Sequence, residues 1–283
     1  MKLFAVETGN FKLDGGAMFG VVPKVLWERT YPADAKNRID MSARALLIED
    51  GQRLILIDTG LGNKQDEKFF GHYDLWGGHS LEKSLKNLGY HVDEITDVFL
   101  THLHFDHVGG AIRRAKNGLL VPTFKNAHYW SHQAHWGWAT QPNAREKASF
   151  LPENILPIEQ SGQLKLLTEK DAIIEVSPLG FDVVLVDGHT EKQMLPLISY
   201  KGQKILFAAD LIPTAGHLPI PYVMGYDTRP LLTLEEKTRI LQKAVQESWL
   251  LFLEHDPHHE LLGLKETEKG VRMDFYNTLA KHF

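Results

Sequence analysis

The sequence predicts an α/β fold in which sheet packs on sheet and helices lie outside. Two observations carry this. Apolar runs of strand length alternate with helical stretches in both halves of the chain, and no fixed-period repeat or linker-like stretch separates the halves. The composition, 43% apolar and 24% charged over 283 residues, can fill a core and excludes disorder. At that length a single domain spanning residues 1–283 is expected.

The elements follow in order. Ala43 to Ile48 and Arg53 to Asp58 flank Asp50-Gly51, which reads as a hairpin with a type I′ turn. Ser80 to Leu88 puts Leu81, Leu85 and Leu88 on one helical face, with Gly89 as the stop. Ile95 to Leu100 is a short apolar strand. In the second half, 173–176, 181–187, 194–200 and 204–209 read as strands, with a turn at Lys201-Gly202. Thr233 and Glu236 have the spacing of a capping box that opens a helix through about Glu247. Trp249 to Glu254 reads as a final buried strand.

Charge and cysteine usage narrow the function. Lys plus Arg is 31 and Asp plus Glu is 36, a net charge of −5, and the longest basic run is Arg113-Arg114. A nucleic-acid partner is therefore not expected. No apolar stretch approaches the ~20 residues that span a bilayer, so no membrane association is expected. The N-terminal apolar run is too short for a signal peptide, and a cytoplasmic location is the default expectation. With no cysteine, there is no disulfide and no thiolate nucleophile. Any metal site must use His, Asp and Glu.

The chemistry concentrates in His102-Leu103-His104-Phe105-Asp106-His107. The segment follows a strand. If it stays extended, His102 and His104 point to one side and Leu103 and Phe105 to the other. A turn toward a helix near Gly109-Gly110 can bring Asp106 and His107 back to the same side. Imidazole and carboxylate together suit zinc, or other divalent metals less specifically. Two metals need more than four ligands. Three further strand ends offer them: His189, Asp210 and His255.

Asp58-Thr59-Gly60, Thr101 to His107, Gly188-His189-Thr190, Ala209-Asp210 and Glu254-His255 together resemble the metallo-β-lactamase superfamily over about residues 40 to 257. The resemblance implies an αββα sandwich: two mixed sheets face to face, with helices outside. It implies two zinc ions. His102, His104 and His189 would hold the first, and Asp106, His107 and His255 the second. Asp210 would bridge both, and Asp58 would support the ligands from behind. The absence of a cysteine ligand sets the chain apart from the β-lactamases proper. His104 sets it apart from the flavo-diiron branch, which has Glu there.

Leu13 to Lys24 resembles a lactonase-like branch that includes acyl-homoserine lactonases and methyl parathion hydrolases. This implies a quorum-quenching hydrolase that opens a lactone by attack of a metal-bridging hydroxide, with Asp106 and Asp210 as its catalytic carboxylates. Several lactonases carry a Tyr three residues after the bridging Asp; Pro213 stands there, and Tyr222 or Tyr226 follows. The alternatives are a phosphoester or organophosphate hydrolase, a thioester hydrolase, and a non-catalytic metal-binding sensor. Two aromatic groups, Phe69, Phe70, Tyr73 and Trp76, then Tyr129, Trp130, Trp136 and Trp138, are candidates to wall a substrate pocket. His217 and Tyr222 join that candidate list. The expected partner is a small ester or lactone, with a homodimer left open.

Overall fold

The protein, described by a computed structural model over all 283 residues, forms two compact units. The first comprises Met1–Asn10 and Ala43–Lys170; the second comprises Phe11–Ser42 and Asp171–Phe283. In chain order the strands are β1 (Lys2–Asp14), β2 (Arg38–Asp50), β3 (Arg53–Ile57), β4 (Asp97–Phe99), β5 (Ile112–Arg114), β6 (Leu120–Pro122), β7 (His128–His132), β8 (Leu164–Leu167), β9 (Ile173–Ile174), β10 (Asp182–Val186), β11 (Gln193–Tyr200), β12 (Gln203–Phe207), β13 (Leu250–Phe252), β14 (Leu261–Lys265) and β15 (Arg272–Asn277). The helices are α1 (Gly15–Phe19), α2 (Lys24–Trp27), α3 (Glu67–Tyr73), α4 (Leu81–Asn87), α5 (Phe105–Val108), α6 (Gln133–Thr140), α7 (Pro152–Gln160), α8 (Pro230–Gln246) and α9 (Leu279–His282). The α/β expectation holds.

A six-stranded sheet has the order β1-β2-β3-β4-β7-β8. β2 and β3 are antiparallel, while β3-β4, β4-β7 and β7-β8 are parallel, so the sheet is mixed. Parallel neighbours need long crossovers, and α3 and α4 lie in the one between β3 and β4. Leu47, Leu56, Val98, Leu103, Tyr129 and Trp136 belong to the buried core of the first unit. The hairpin forms as expected, but its turn differs. Asp50 pairs with Arg53, leaving Gly51-Gln52 as the loop, and Gly51 alone has positive φ. Type I′ needs positive φ at both central residues. Lys201 (φ 47°) and Gly202 (φ 83°), between paired Tyr200 and Gln203, meet that requirement instead.

The second unit carries a seven-stranded mixed sheet, order β15-β14-β13-β12-β11-β10-β9. Only β12 and β13 are parallel in it, and α8 lies in the crossover between them. α8 begins three residues before the expected capping box, with Pro230 in its first turn and Ile240, Leu241 and Ala244 buried. Proline is favoured there because its missing N–H has no intrahelical partner to lose. The capping box therefore does not form, and Thr233 and Glu236 are free for other bonds described below. No helix is long and apolar enough to cross a membrane.

Phe207 and Phe252, at the ends of β12 and β13, are fully buried and stack with centroids 5.5 Å apart. Each is followed within three residues by an expected ligand, Asp210 or His255. Phe252→Ala is expected to cost about 3–5 kcal/mol of stability. Urea unfolding followed by circular dichroism measures it, and a loss below about 1 kcal/mol would mean the site collapses without a cavity.

Candidate metal centre

In the first unit, the chain leaves β4 and runs through Thr101 to His107. α5 is one helical turn that starts at Phe105, with His104 as its N-cap. The expected helix at Gly109-Gly110 is a 3₁₀ turn leading into β5, so helix rather than loop turns Asp106 and His107 back. His102 Nε2 lies 3.1 Å from His104 Nδ1. The His102 and His107 rings are 3.9 Å apart, and Asp106 Oδ2 is 3.8 Å from His107 Nε2.

Asp58, with φ 57° at the end of β3, organises this cluster. Its Oδ1 accepts from the Thr101 N–H (2.8 Å) and its Oδ2 from the Thr101 hydroxyl (2.6 Å). Oδ2 also lies 3.0 Å from His107 Nδ1, which donates to it. Thr101 Oγ1, having given its proton to Asp58, accepts from His102 Nδ1 at 3.1 Å. The hydrogen-bond network thus assigns the proton of both His102 and His107 to Nδ1 and leaves both Nε2 lone pairs inward. Glu146 Oε1 lies 3.4 Å from His104 Nε2 and favours the proton on that nitrogen. His135 Nε2 accepts from the Leu103 N–H at 2.9 Å and pins the loop.

The second unit builds a matching set. β10 ends at Val186, and Glu236 accepts from the N–H groups of Asp187 (2.7 Å) and Gly188 (3.0 Å). His189 Nδ1 then donates to Asp227 Oδ1 at 2.9 Å, and the Thr233 hydroxyl donates to Asp227 Oδ2 at 2.8 Å. His255 Nδ1 donates to the Ser42 carbonyl at 2.9 Å. Between these imidazoles stands Asp210, with Oδ2 3.1 Å from His189 Nε2 and Oδ1 3.0 Å from His255 Nε2. Ala209, just before it, has φ 39°. Such a conformation costs a non-glycine residue of order 1–3 kcal/mol and tends to be kept at functional sites. Beyond His255, Asp256 is buried, which raises a carboxyl. Bonds from His259, Tyr31 and the Ala215 N–H outweigh that and hold it at about 2.

The donors fit a divalent metal on chemical grounds. His102 Nε2 and His104 Nδ1 present lone pairs to each other at 3.1 Å. In the other unit, two Nε2 lone pairs face carboxylate oxygens at 3.0 and 3.1 Å. Both arrangements repel unless a cation lies among them. All seven expected ligands are buried and offer a metal-ligating atom.

The candidate pocket residues divide. Phe69 and Tyr73 on α3 pack on Phe105, at 5.3 and 4.7 Å between centroids, while Phe70 packs on Phe69. Trp130 sits in β7, and its indole N–H donates to Asp97 at 2.8 Å. Trp136 is a core residue, 7% exposed. Tyr222 stands edge-on to Phe19.

His217 is buried as well. It is 1% exposed and stacked on Phe19. Its Nδ1 accepts from the Thr214 hydroxyl and its Nε2 donates to the Met18 carbonyl, both at 2.8 Å, so a neutral ring uses both nitrogens. Burial pulls its pKa down to about 3. The unfolded chain takes up a proton near pH 6.5 that the folded chain refuses, so stability falls as pH drops from 6.5 toward 3. From pH 7 to 5 this loss is about 2 kcal/mol. Urea unfolding at both pH values should show His217→Gln less pH-dependent by that amount. An unchanged slope would show that His217 is protonated in the fold.

Sequence reasoning missed Asp227 and Glu146, which act through space on expected ligands far away in sequence, and His135, which bonds the Leu103 backbone between two of them. Glu236 was visible only as a supposed cap. No local pattern marks the other three.

Comparison with known proteins agrees with this picture. Residues 39–255 match the Metallo-beta-lactamase superfamily. An N-acyl homoserine lactonase of a Bacillus species is 25% identical over 239 residues, covering 78% of this chain and 84% of the relative. The crystal structure of a probable metal-dependent hydrolase from Staphylococcus aureus superposes with a TM-score of 0.87 at 29% identity, covering 98% of this chain and 96% of that one. AidC, a dizinc quorum-quenching lactonase in complex with a product, shares the fold at TM-score 0.76 and 23% identity, covering 97% and 95%. With buried imidazoles and carboxylates held in both units and a family match across most of its length, the chain belongs to the metallo-β-lactamase superfamily and is a metal-dependent hydrolase.

Proposed function

We propose that the chain is a dinuclear zinc hydrolase, one catalytic domain over residues 1–283, that opens N-acyl homoserine lactones. The observation that carries this is the pair of prepared ligand sets, in which most imidazoles have one nitrogen committed to a supporting group and the other facing a fellow expected ligand. In this reading His102, His104 and His189 would hold one zinc, Asp106, His107 and His255 the other, and Asp210 would serve both. Two zinc ions bound there supply Lewis acidity and an activated water.

The protein side chains do the rest. Asp58 and Asp227 fix the tautomers of His107 and His189 and raise their basicity as ligands. Asp106 carries a proton from the attacking side to the leaving alkoxide. Tyr73 is pushed up to about 12 by burial and by the nearby Asp106 charge, so its phenol keeps its proton and can donate a hydrogen bond at neutral pH. Phe69, Tyr73 and Phe105 offer an apolar wall for an acyl chain, with Phe70 behind Phe69. The lactone assignment draws on the lactonase relatives, and quorum quenching would be its biological consequence.

The test is elemental analysis of the purified protein, then turnover of N-hexanoyl-homoserine lactone, paraoxon and a thioester. Two zinc ions per chain with lactone opening as the fastest reaction is the expected result. Faster phosphotriester or thioester cleavage would overturn the lactone assignment. Metal binding without any hydrolysis would favour a sensor.

A further inference from the structure

Lys237, in the middle of α8, is fully buried in the second unit. Buried lysines are rare, because the ammonium loses its water. Its Nζ donates to three backbone carbonyls: Pro219 at 2.9 Å, Ile220 at 3.3 Å and Tyr222 at 2.8 Å. An ammonium has three N–H groups and no acceptor, so these carbonyls use it completely. Burial favours the neutral amine and pulls the group down to about 7. The Asp227 carboxylate and the three carbonyls favour the charged form.

The three carbonyls belong to one irregular stretch, 218–226. Buried Leu218 and Met224 pin it at either end. Between them, Pro219 and Pro221 have no backbone N–H to donate. The Tyr222 N–H bonds back to the Pro219 carbonyl at 2.9 Å, so a tight turn closes around the Lys237 head. In the chain this stretch lies between Asp210 and Asp227, whose carboxylates face Nε2 and Nδ1 of the same imidazole, His189. It therefore leaves the candidate centre and returns to it. Tyr222 is half-buried on the turn, with its ring edge-on to Phe19 at 6.2 Å.

We infer that Lys237 is a positioning residue for substrate binding: its ammonium fixes the 219–222 backbone and thereby the place at which Tyr222 meets the substrate. This rests on the proposed hydrolase function, with Tyr222 among the pocket residues. Lys237 acts through the backbone and touches no substrate itself. A lysine that only filled space would be replaceable by methionine without consequence. One that orients three carbonyls would not, because methionine leaves them without a donor.

Lys237→Met in the full chain tests this, at a pH below about 7 so that the ammonium predominates in the parent. Hydrogen exchange followed by mass spectrometry should accelerate in 218–226 and stay unchanged in β12 and β13. KM should rise about tenfold, with kcat within about threefold of the parent and metal content unchanged. The substrate is whichever of the lactone, the triester and the thioester is turned over fastest, so the lactone assignment can fail without deciding this test. The exchange comparison needs no turnover at all. Because the chain has no cysteine, Lys237→Cys can be alkylated at that one position in denaturant and refolded. 2-Bromoethylamine, which rebuilds the ammonium, should restore both KM and protection; 1-bromopropane, which rebuilds only the volume, should restore neither. Unchanged exchange in Lys237→Met, faster exchange with unchanged KM, loss of metal in place of a KM effect, or equal rescue by both alkyl groups would overturn the proposal.

Discussion

Asp210→Ala is expected to abolish hydrolysis and metal retention together. Each of its carboxylate oxygens faces a different imidazole, at 3.0 and 3.1 Å, so one substitution removes a ligand atom from two places. His189 and His255 would keep their Nδ1 bonds to Asp227 and Ser42, and the pocket would keep its shape. What disappears is the negative charge that would offset the metal ions of the proposed centre. Lewis-acid stabilisation is worth several kcal/mol. A loss of about 4 kcal/mol corresponds to roughly 10³-fold in rate. Metal content after dialysis and kcat/KM on a lactone check this side by side. Full activity with full metal content would remove Asp210 from the bridging position. Asp210→Asn keeps the volume while losing the charge, and should fall nearly as far; recovery there would mean that shape, not charge, matters.

The expected ligands were legible in the sequence because four of them fall within six residues, and because the other three close apolar runs that read as strands. Strand ends are where a sheet presents side chains, so His189, Asp210 and His255 could be nominated one at a time. The local route to convergence was less legible. The extended reading of 102–107 gave way to a helical turn at Phe105, since one turn of α5 returns Asp106 and His107 to the side that a loop was expected to reach. Thr233 and Glu236 show how a correct spacing can carry a wrong role. Pro230 starts α8 earlier, and the two side chains serve Asp227 and the Asp187-Gly188 backbone instead. His217 shows a different limit. An aromatic or imidazole side chain near a motif looks like pocket lining, but whether its ring nitrogens are already bonded is a tertiary fact. Nothing in the sequence announces that Thr214 and Met18 satisfy His217.

The second large effect is expected at Asp58, and it is a tautomer effect. Asp58 is fully buried and touches no substrate in the proposed scheme. Its Oδ2 accepts a hydrogen bond from His107 Nδ1–H, which leaves the Nε2 lone pair as the one available to a metal. Asparagine fits the same space and tolerates the left-handed backbone at φ 57°, so Asp58→Asn should fold. One amide oxygen can still accept from Thr101. The amide NH₂ must then point at His107 or at the Thr101 hydroxyl, where an acceptor is required. A donor facing His107 Nδ1 moves the imidazole proton to Nε2, and a protonated Nε2 cannot hold a metal. Loss of such a supporting contact costs about 10–100-fold in metal affinity or activity. Competition with a chelator measures the affinity, and ¹⁵N chemical shifts of the histidines report the tautomer directly. Asp227→Asn should repeat the effect at His189, where the carboxylate lies 2.9 Å from Nδ1. His255 is held by the Ser42 carbonyl, an acceptor no substitution can convert to a donor, so its tautomer should survive both changes. Asp58→Asn with unchanged metal affinity and an unchanged His107 tautomer would show that the Asp58 carboxylate only pins Thr101.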